Sequence, residues 1–373
     1  MIDDCWFYNG LESVPENVYT VIVIDGVQKI PEGAFYNRVD LISIYLPDTV
    51  RIIETDAFCC CDKLESINLP SSLEEIGDKA FMLCKSLQSI RLPPFIRRIG
   101  NSAFWNCFSL LSINLPSSLT TIEAYTFTGC GSLLSIHLPS SIQKIGNGAF
   151  GGCSSLSKLN LPSSIEIIDE FVFYGCQSLD SLNIPSSITE IRAFAFLGCK
   201  NILSIHLPSS IQHVGSYAFK GCISLKSIII PSSIKMIGVN SFKDCTSIES
   251  IKIQATIDDI KNHNNVMRLY RDVVQQNPRV ATSPFTNEGL LPLHLLLMFG
   301  YVQDNKNIHD LVRVVPKSLT ARDPIYKLYP FLLAACNPRK LKLNDLIDFE
   351  REHIETIYIL LRDAPWVMDI LIS

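Results

Sequence analysis

Phenylalanine recurs every 23 residues along most of this chain, without one insertion or deletion. Proline follows the same period from Pro47 to Pro231, and cysteine does so from Cys61 to Cys245. A fixed period of this length predicts a solenoid, because one unit can bury its apolar side only by stacking on its neighbours. A solenoid usually offers a surface for holding another molecule rather than a pocket for chemistry. The recurring phenylalanines are Phe35, Phe58, Phe81, Phe104, Phe127, Phe150, Phe173, Phe196, Phe219 and Phe242.

Each unit contains a pattern typical of a short strand. In the unit that begins at Leu69, Ile90 and Leu92 alternate with polar residues, so both are expected to face inward. Pro93 follows at once, and proline suits the end of a strand because it cannot donate to a ladder. Equivalent strands of successive units should stack about 5 Å apart.

The remainder of the unit is predicted to return the chain to the next strand. Most units continue with Ser-Ser, whose hydroxyl groups can bond nearby backbone and set a turn. A second extended segment then points Leu73 and Ile76 inward, and Phe81 and Cys84 lie in a tight helical turn across the back. The cysteine column is interpreted as structural, since free cysteine is commonly a small buried apolar residue.

The unit resembles the BspA-like leucine-rich repeat, whose pattern is I-x-x-I-G-x-x-A-F-x-x-C-x-x-L-x-x-I-x-L-P. The resemblance extends to about residue 253 and implies a right-handed, mainly β solenoid with a parallel sheet on a concave face. It departs from the commonest leucine-rich repeat at Phe95, where asparagine or cysteine would stand, so short strands or turns are expected on the other face. The match is carried by Ile76-Gly77, Ala80-Phe81, Cys84, Leu87, Ile90 and Leu92-Pro93.

Three regions follow from the pattern. Residues 1–17 are predicted to cap the first unit, with Trp6 and Phe7 covering its exposed core. Residues 18–256 form the solenoid of about ten units, in the first of which Arg38 replaces the ladder cysteine at a position near solvent. Residues 257–373 are predicted to form an α-helical C-terminal domain, because apolar residues there recur with helical spacing.

The C-terminal domain is interpreted as ankyrin-like, with an unrelated small helical bundle as the alternative. Leu291-Pro292-Leu293-His294 resembles the T-P-L-H start of an ankyrin repeat, and Tyr329-Pro330-Phe331-Leu332 is a looser copy. The period between the copies is 38 residues.

Composition narrows the function and the setting. The net charge of −5 gives no basic excess of the kind a general nucleic-acid binder needs, so nucleic acid is not an expected partner. No apolar run is long enough to span a membrane, so no membrane partner is expected either. The 13 cysteines are an odd number, and most are explained by the repeat. Together with Asp3 and Asp4, where a signal peptide needs positive charge, this favours an intracellular, cytoplasmic location.

The outward positions of the strands are the predicted partner-binding residues. One outward column is nearly all serine and the next is varied, and neither contains a carboxylate for acid–base chemistry. No spacing predicts a catalytic residue, a cofactor site or a metal site. The predicted contacts on the concave face are Tyr45, Asn68, Arg91, Asn114, His137, Lys158, Asn160, Asn183, His206 and Lys252.

The sequence therefore predicts a non-catalytic scaffold that binds another protein. An extracellular, adhesin-type binding protein is the first competing hypothesis, and it would contain few free thiols. An enzyme with its site in the C-terminal domain is the second, and a spacer without a specific partner is the third. The sequence does not predict the oligomeric state.

Overall fold

A computed structural model of the protein describes residues 5–254. They form 22 short strands and no helix within that range. In chain order the strands are β1 (Cys5–Tyr8), β2 (Thr20–Val23), β3 (Lys29–Ile30), β4 (Ser43–Tyr45), β5 (Ile52–Ile53), β6 (Ser66–Asn68), β7 (Glu75–Ile76), β8 (Ser89–Ile90), β9 (Arg98–Ile99), β10 (Ser112–Asn114), β11 (Thr121–Ile122), β12 (Ser135–His137), β13 (Lys144–Ile145), β14 (Lys158–Asn160), β15 (Ile167–Ile168), β16 (Ser181–Asn183), β17 (Glu190–Ile191), β18 (Ser204–His206), β19 (His213–Val214), β20 (Ser227–Pro231), β21 (Met236–Ile237) and β22 (Ser250–Gln254).

The strands form two parallel ladders. The even-numbered strands and β1 make the front sheet, in which β1 to β16 are continuous and β18, β20 and β22 form a second part. The odd-numbered strands from β3 make the back ladder, which is divided into β3 to β9, β11 with β13, and β15 to β21. Paired front strands from β2 onward match residues 23 positions apart in the chain, as Ile113 does with Ile136. The predicted solenoid with a parallel sheet is therefore confirmed for these residues.

The phenylalanine column forms the axis of the core. All ten rings are buried, and neighbouring ring centroids are between 5.0 and 5.9 Å apart in stacked pairs. Burying one such side chain contributes about 2–3 kcal/mol, which explains why the column is uninterrupted. Each ladder cysteine is buried as well, and its thiol donates to the carbonyl of the phenylalanine in the preceding unit.

The segment that returns the chain from the back ladder to the front sheet differs from the predicted helical turn. It contains two residues per unit in the left-handed conformation, such as Lys79 (φ 55°) and Leu83 (φ 61°). The N–H groups of Lys79, Phe81 and Leu83 each donate to a carbonyl of the next unit at 2.8 Å. These bonds make a third ladder between units, which a continuous helix could not provide because its N–H groups are bonded within the helix.

Serine in the Ser-Ser pair also bonds between units rather than within its own turn. The second serine donates to a carbonyl 22 residues earlier, as Ser72 does to Val50 at 2.7 Å and Ser187 does to Ile165 at 2.6 Å. The predicted local turn bond is therefore replaced by a bond that fastens one unit to the preceding one.

Glycine after the back strand reflects close packing of units. None of Gly77, Gly100, Gly146, Gly215 and Gly238 is left-handed, but a Cβ atom at any of them would lie within 2.7 Å of the preceding unit. The back ladder is interrupted twice. At each interruption an acidic residue occupies this repeat position, and the preceding unit has glycine there. The two acidic residues are Glu123 and Asp169. The ladder continues where glycine follows another residue, as Gly77 follows Glu54.

The N-terminal cap begins as an extra strand. β1 pairs with β2, and Tyr8 rather than Phe7 covers the core: Tyr8 is buried and its ring lies 5.1 Å from Phe35, edge to face. Phe7 points to solvent with 62% of its surface exposed, so its predicted role is wrong, whereas Trp6 packs partly against the core. Arg38 donates twice to the carbonyl of Val14 and so ties the cap segment to the first unit. The predicted helical, ankyrin-like domain lies outside the described residues.

Candidate binding face

The structure brings all ten predicted contact residues to the solvent side of the front sheet. Every one of them is exposed, and most are neighbours across the ladder, as Asn114 is with His137 and Asn160 is with Asn183. Lys158 lies one column over, opposite Ser135 and Ser181. Near the C-terminal end the half-buried Ile229 separates His206 from Lys252 and interrupts the polar row.

None of the ten side chains makes a hydrogen bond or an ion pair with another residue of the described range. Basic residues on other surfaces behave differently: Lys29, Arg51 and Lys63, among others, each pair with a carboxylate at 2.7–2.9 Å. The basic groups of the front face are left for solvent or a ligand. The front face consequently has a local positive charge on a chain whose net charge is negative.

A pocket of about 370 Å³ lies where the front sheet is divided between β16 and β18. The units still touch at the start of these strands, where the N–H of Leu203 donates to the carbonyl of Asp180 at 3.4 Å. The polar lining converges from three strands, and the buried side chains of Leu159 and Leu182 form the floor. The polar residues of the lining are Lys158, Asn160, Ser181, Asn183, Ser204 and His206.

The division of the sheet coincides with a change of side-chain shape in the core. The central inward residue of the front strands is isoleucine in most units but leucine at 159 and 182. Pairing falls to the single pair Ser135–Lys158 where isoleucine meets Leu159, and is absent from the ladder where Leu182 meets Ile205. Between the two leucines pairing is complete. β-Branched and γ-branched side chains fill space differently, and both weakened pairings fall at a junction between the two types.

A larger cleft of about 660 Å³ opens on the other side, at the interruption between β13 and β15. Part of its charge is already paired. Arg192 donates to Asp169 at 2.8 Å, and the Asn147 amide reaches the same carboxylate at 2.8 Å. These three side chains link three successive units, whereas the lining of the front pocket contains no ion pair, so the front pocket is the better candidate for a ligand.

The described residues offer little chemistry beyond binding. No group of three or more histidine, cysteine or acidic side chains within residues 5–254 is placed to hold a metal ion. Burial raises the pKa of the ladder thiols, to about 12 for Cys61 and Cys153. Such thiols stay protonated near neutral pH and are poor nucleophiles. No helix of the described part is long and apolar enough to cross a membrane.

An apolar patch lies beside the front sheet, outside the two outward strand columns in which contacts were predicted. Phe108, Leu111 and Leu134 are 46%, 48% and 56% exposed and occupy adjacent units. Leu111 and Leu134 share the column just before the serine column, in which Ile42 and Leu203 are also apolar and Glu65 and Gln88 are polar. The sequence signal for the patch is an apolar residue at this outward position in two consecutive units.

Comparison with known families agrees with this architecture. A family profile for the "BspA type Leucine rich repeat region (6 copies)" matches residues 28–157 and 143–265. The chain belongs to the BspA-type leucine-rich repeat family. Leucine-rich repeat proteins of this type suit an interaction role.

Several solved leucine-rich repeat structures are similar to this BspA-type protein. One from Bacteroides ovatus is 26% identical, covering 66% of this chain and 81% of that chain with a TM-score of 0.35. One from T. pallidum is 29% identical, covering 60% and 83% with a TM-score of 0.36. One from Eubacterium ventriosum is 21% identical, covering 64% and 67% with a TM-score of 0.47. The comparison with curated proteins gives no match.

Proposed function

We propose that the protein is a non-catalytic scaffold that binds another protein through the solvent side of its front sheet. The observation that carries this proposal is the row of ten exposed polar and basic side chains without internal partners in the described range. Backbone ladders and the stacked core hold these side chains on a rigid support, so little conformational entropy is lost when a partner binds. The proposed setting is the reducing interior of the cell.

The adjoining apolar patch of Phe108, Leu111 and Leu134 supports binding of a partner on the same side of the solenoid. Stable protein interfaces combine an apolar centre with a polar surround, and the patch lies beside Arg91, Asn114 and His137 in neighbouring units. A partner that covers both surfaces would bury apolar area and satisfy the unpaired donors together.

A photo-crosslinking residue can test which face binds. We expect a discrete protein adduct in the native cell when the crosslinker replaces Asn114, and none when it replaces the exposed Lys144 on the back ladder. Replacing Arg91, His137, Lys158 and His206 together by alanine in the Asn114 protein should remove the adduct. The thermal unfolding midpoint should not change, because all four side chains are exposed.

Two results would contradict the proposal. One is an adduct of the same size and yield from both crosslinker positions, which would indicate contact without a preferred face. The other is an adduct from the Asn114 position that survives the fourfold substitution.

A further inference from the structure

We propose that the front pocket between β16 and β18 binds a carboxylate side chain of an acidic, extended segment of the partner. This inference rests on the proposed function and names the chemistry of the partner at that site. It follows from the polar groups that line the pocket, from the absence of an acid among them and from the row of basic residues that leads away from it.

The side chains that line the pocket supply hydrogen-bond donors, and no carboxylate among them would accept these bonds in place of a ligand. Lys158 contributes an ammonium group, Asn160 and Asn183 contribute amides, and His206 contributes an imidazole N–H. None of these four side chains has a hydrogen-bond partner within residues 5–254. A carboxylate accepts several such bonds at once, and bonds with one charged partner are the stronger kind.

No carboxylate lines the pocket. The closest acid in the sequence is Asp180, just before β16, and its side chain accepts a hydrogen bond from Ser181 at 2.9 Å. Lys158 therefore has no ion pair among the described residues, in contrast to Arg192 in the back cleft, which is paired with Asp169. A neutral or cationic ligand group would leave Lys158 without a counter-charge.

The row beyond the pocket indicates a peptide rather than an isolated anion. Arg91 lies four units before Asn183, which stands at the division between β16 and β18, and has no ion pair in the described range. Four units correspond to about 19 Å, which about six residues of an extended chain would span. A segment lying along the solenoid axis could thus place one carboxylate in the pocket and a second at Arg91, with His137 between them.

The experiment measures the anisotropy of a fluorescent peptide at low ionic strength with the full chain. The probe peptide carries two glutamates about six residues apart, and its matched control carries glutamine at both positions. We expect the glutamate peptide to bind and the glutamine peptide to bind at least about tenfold more weakly, as for the loss of charge-assisted hydrogen bonds.

Variants of the protein distinguish binding of the peptide in the pocket from non-specific electrostatic attraction. Lys158→Gln and His206→Gln should each weaken binding of the glutamate peptide, Lys158→Gln by about tenfold. Lys144→Gln removes the same charge from an exposed lysine on the back ladder and should leave binding unchanged. Arg91→Gln should weaken the two-glutamate peptide but not a peptide with a single glutamate.

Equal binding of the glutamate and glutamine peptides would overturn the proposal, as would equal losses in Lys158→Gln and Lys144→Gln. Displacement of the peptide by an equal concentration of inorganic phosphate would assign the pocket to a small anion and would also overturn it. Failure here is distinguishable from failure of the proposed function. A front-face adduct that the acidic peptide does not block would leave the scaffold function standing and contradict only this inference.

Discussion

At the scale of single residues, the cysteine column shows why one side chain is repeated so faithfully. Each thiol fills a small buried space and also donates to a phenylalanine carbonyl, at distances from 3.0 Å for Cys199 to 3.5 Å for Cys222. The same carbonyl also accepts from a backbone N–H, as that of Phe58 does from Cys61 at 3.2 Å, so alanine would remove one of its two hydrogen bonds and leave a small void. Cysteine meets both needs, so its recurrence along the repeat requires no redox or metal chemistry.

We predict that these thiols resist alkylation in the folded protein. Burial raises the pKa of Cys153 to about 12, so the reactive thiolate is a very small fraction at pH 8 and remains small at pH 9. Cys5 is exposed and should be modified under the same conditions. Mass spectrometry of iodoacetamide-treated protein resolves each site, and full labelling of all 13 cysteines should require unfolding. Labelling of native Cys153 at the rate of Cys5 would show that the column is not inert.

At the scale of elements, the interruptions of both ladders coincide with single-residue changes between neighbouring units. The front sheet divides where leucine and isoleucine meet, and the back ladder divides where Glu123 or Asp169 follows a unit with glycine. The rings of Phe173 and Phe196 stay 5.2 Å apart at the front division, so the phenylalanine column continues through it. Two of these interruptions contain a pocket, the front one between β16 and β18 and the back one between β13 and β15.

The leucine–isoleucine junction can be tested by making the core uniform. The double variant Leu159→Ile/Leu182→Ile should restore pairing between β16 and β18 and reduce the front pocket. Amide hydrogen exchange in β18, measured by NMR, should slow several-fold, because one ladder hydrogen bond contributes about 1 kcal/mol. Leu179→Ile is the control, since this buried leucine lies outside the front strand and should leave exchange in β18 unchanged. Unaltered exchange in the double variant would show that another feature divides the sheet.

The repeat period let the sequence predict the front face but not its pocket. The strict spacing assigns Asn160, Asn183 and His206 to one outward column, and the structure places them together. The pocket depends on the division between β16 and β18. That division coincides with an exchange of leucine for isoleucine at one core position, and the repeat pattern treats both residues alike as apolar. The left-handed residues of the return segment were also missed, because bulky residues such as Phe194 occupy a position where sequence reasoning expects glycine.

At the scale of the whole molecule, each unit touches only its neighbours, so stability accumulates along one dimension. The units inside the array are covered on both sides, whereas the first depends on the cap. There Tyr8 closes the phenylalanine column against Phe35, and β1 occupies the edge of β2. Sequence alone could not choose among Trp6, Phe7 and Tyr8, because a strand of four residues has two faces and each face carries an aromatic ring.

We predict that Tyr8→Ala opens the solenoid from its N-terminal end. Removing this buried ring should cost about 3–5 kcal/mol locally, as for other large-to-small changes at buried aromatics. Because coupling runs between nearest neighbours, hydrogen-exchange protection should fall most in β2 and β4 and recover progressively toward β12. Phe7→Ala, which removes a ring exposed by 62%, should leave the protection pattern of these strands unchanged. A uniform loss of protection through β20, or an equal effect of Phe7→Ala, would show that the array unfolds as one unit and that Tyr8 is not its end cap.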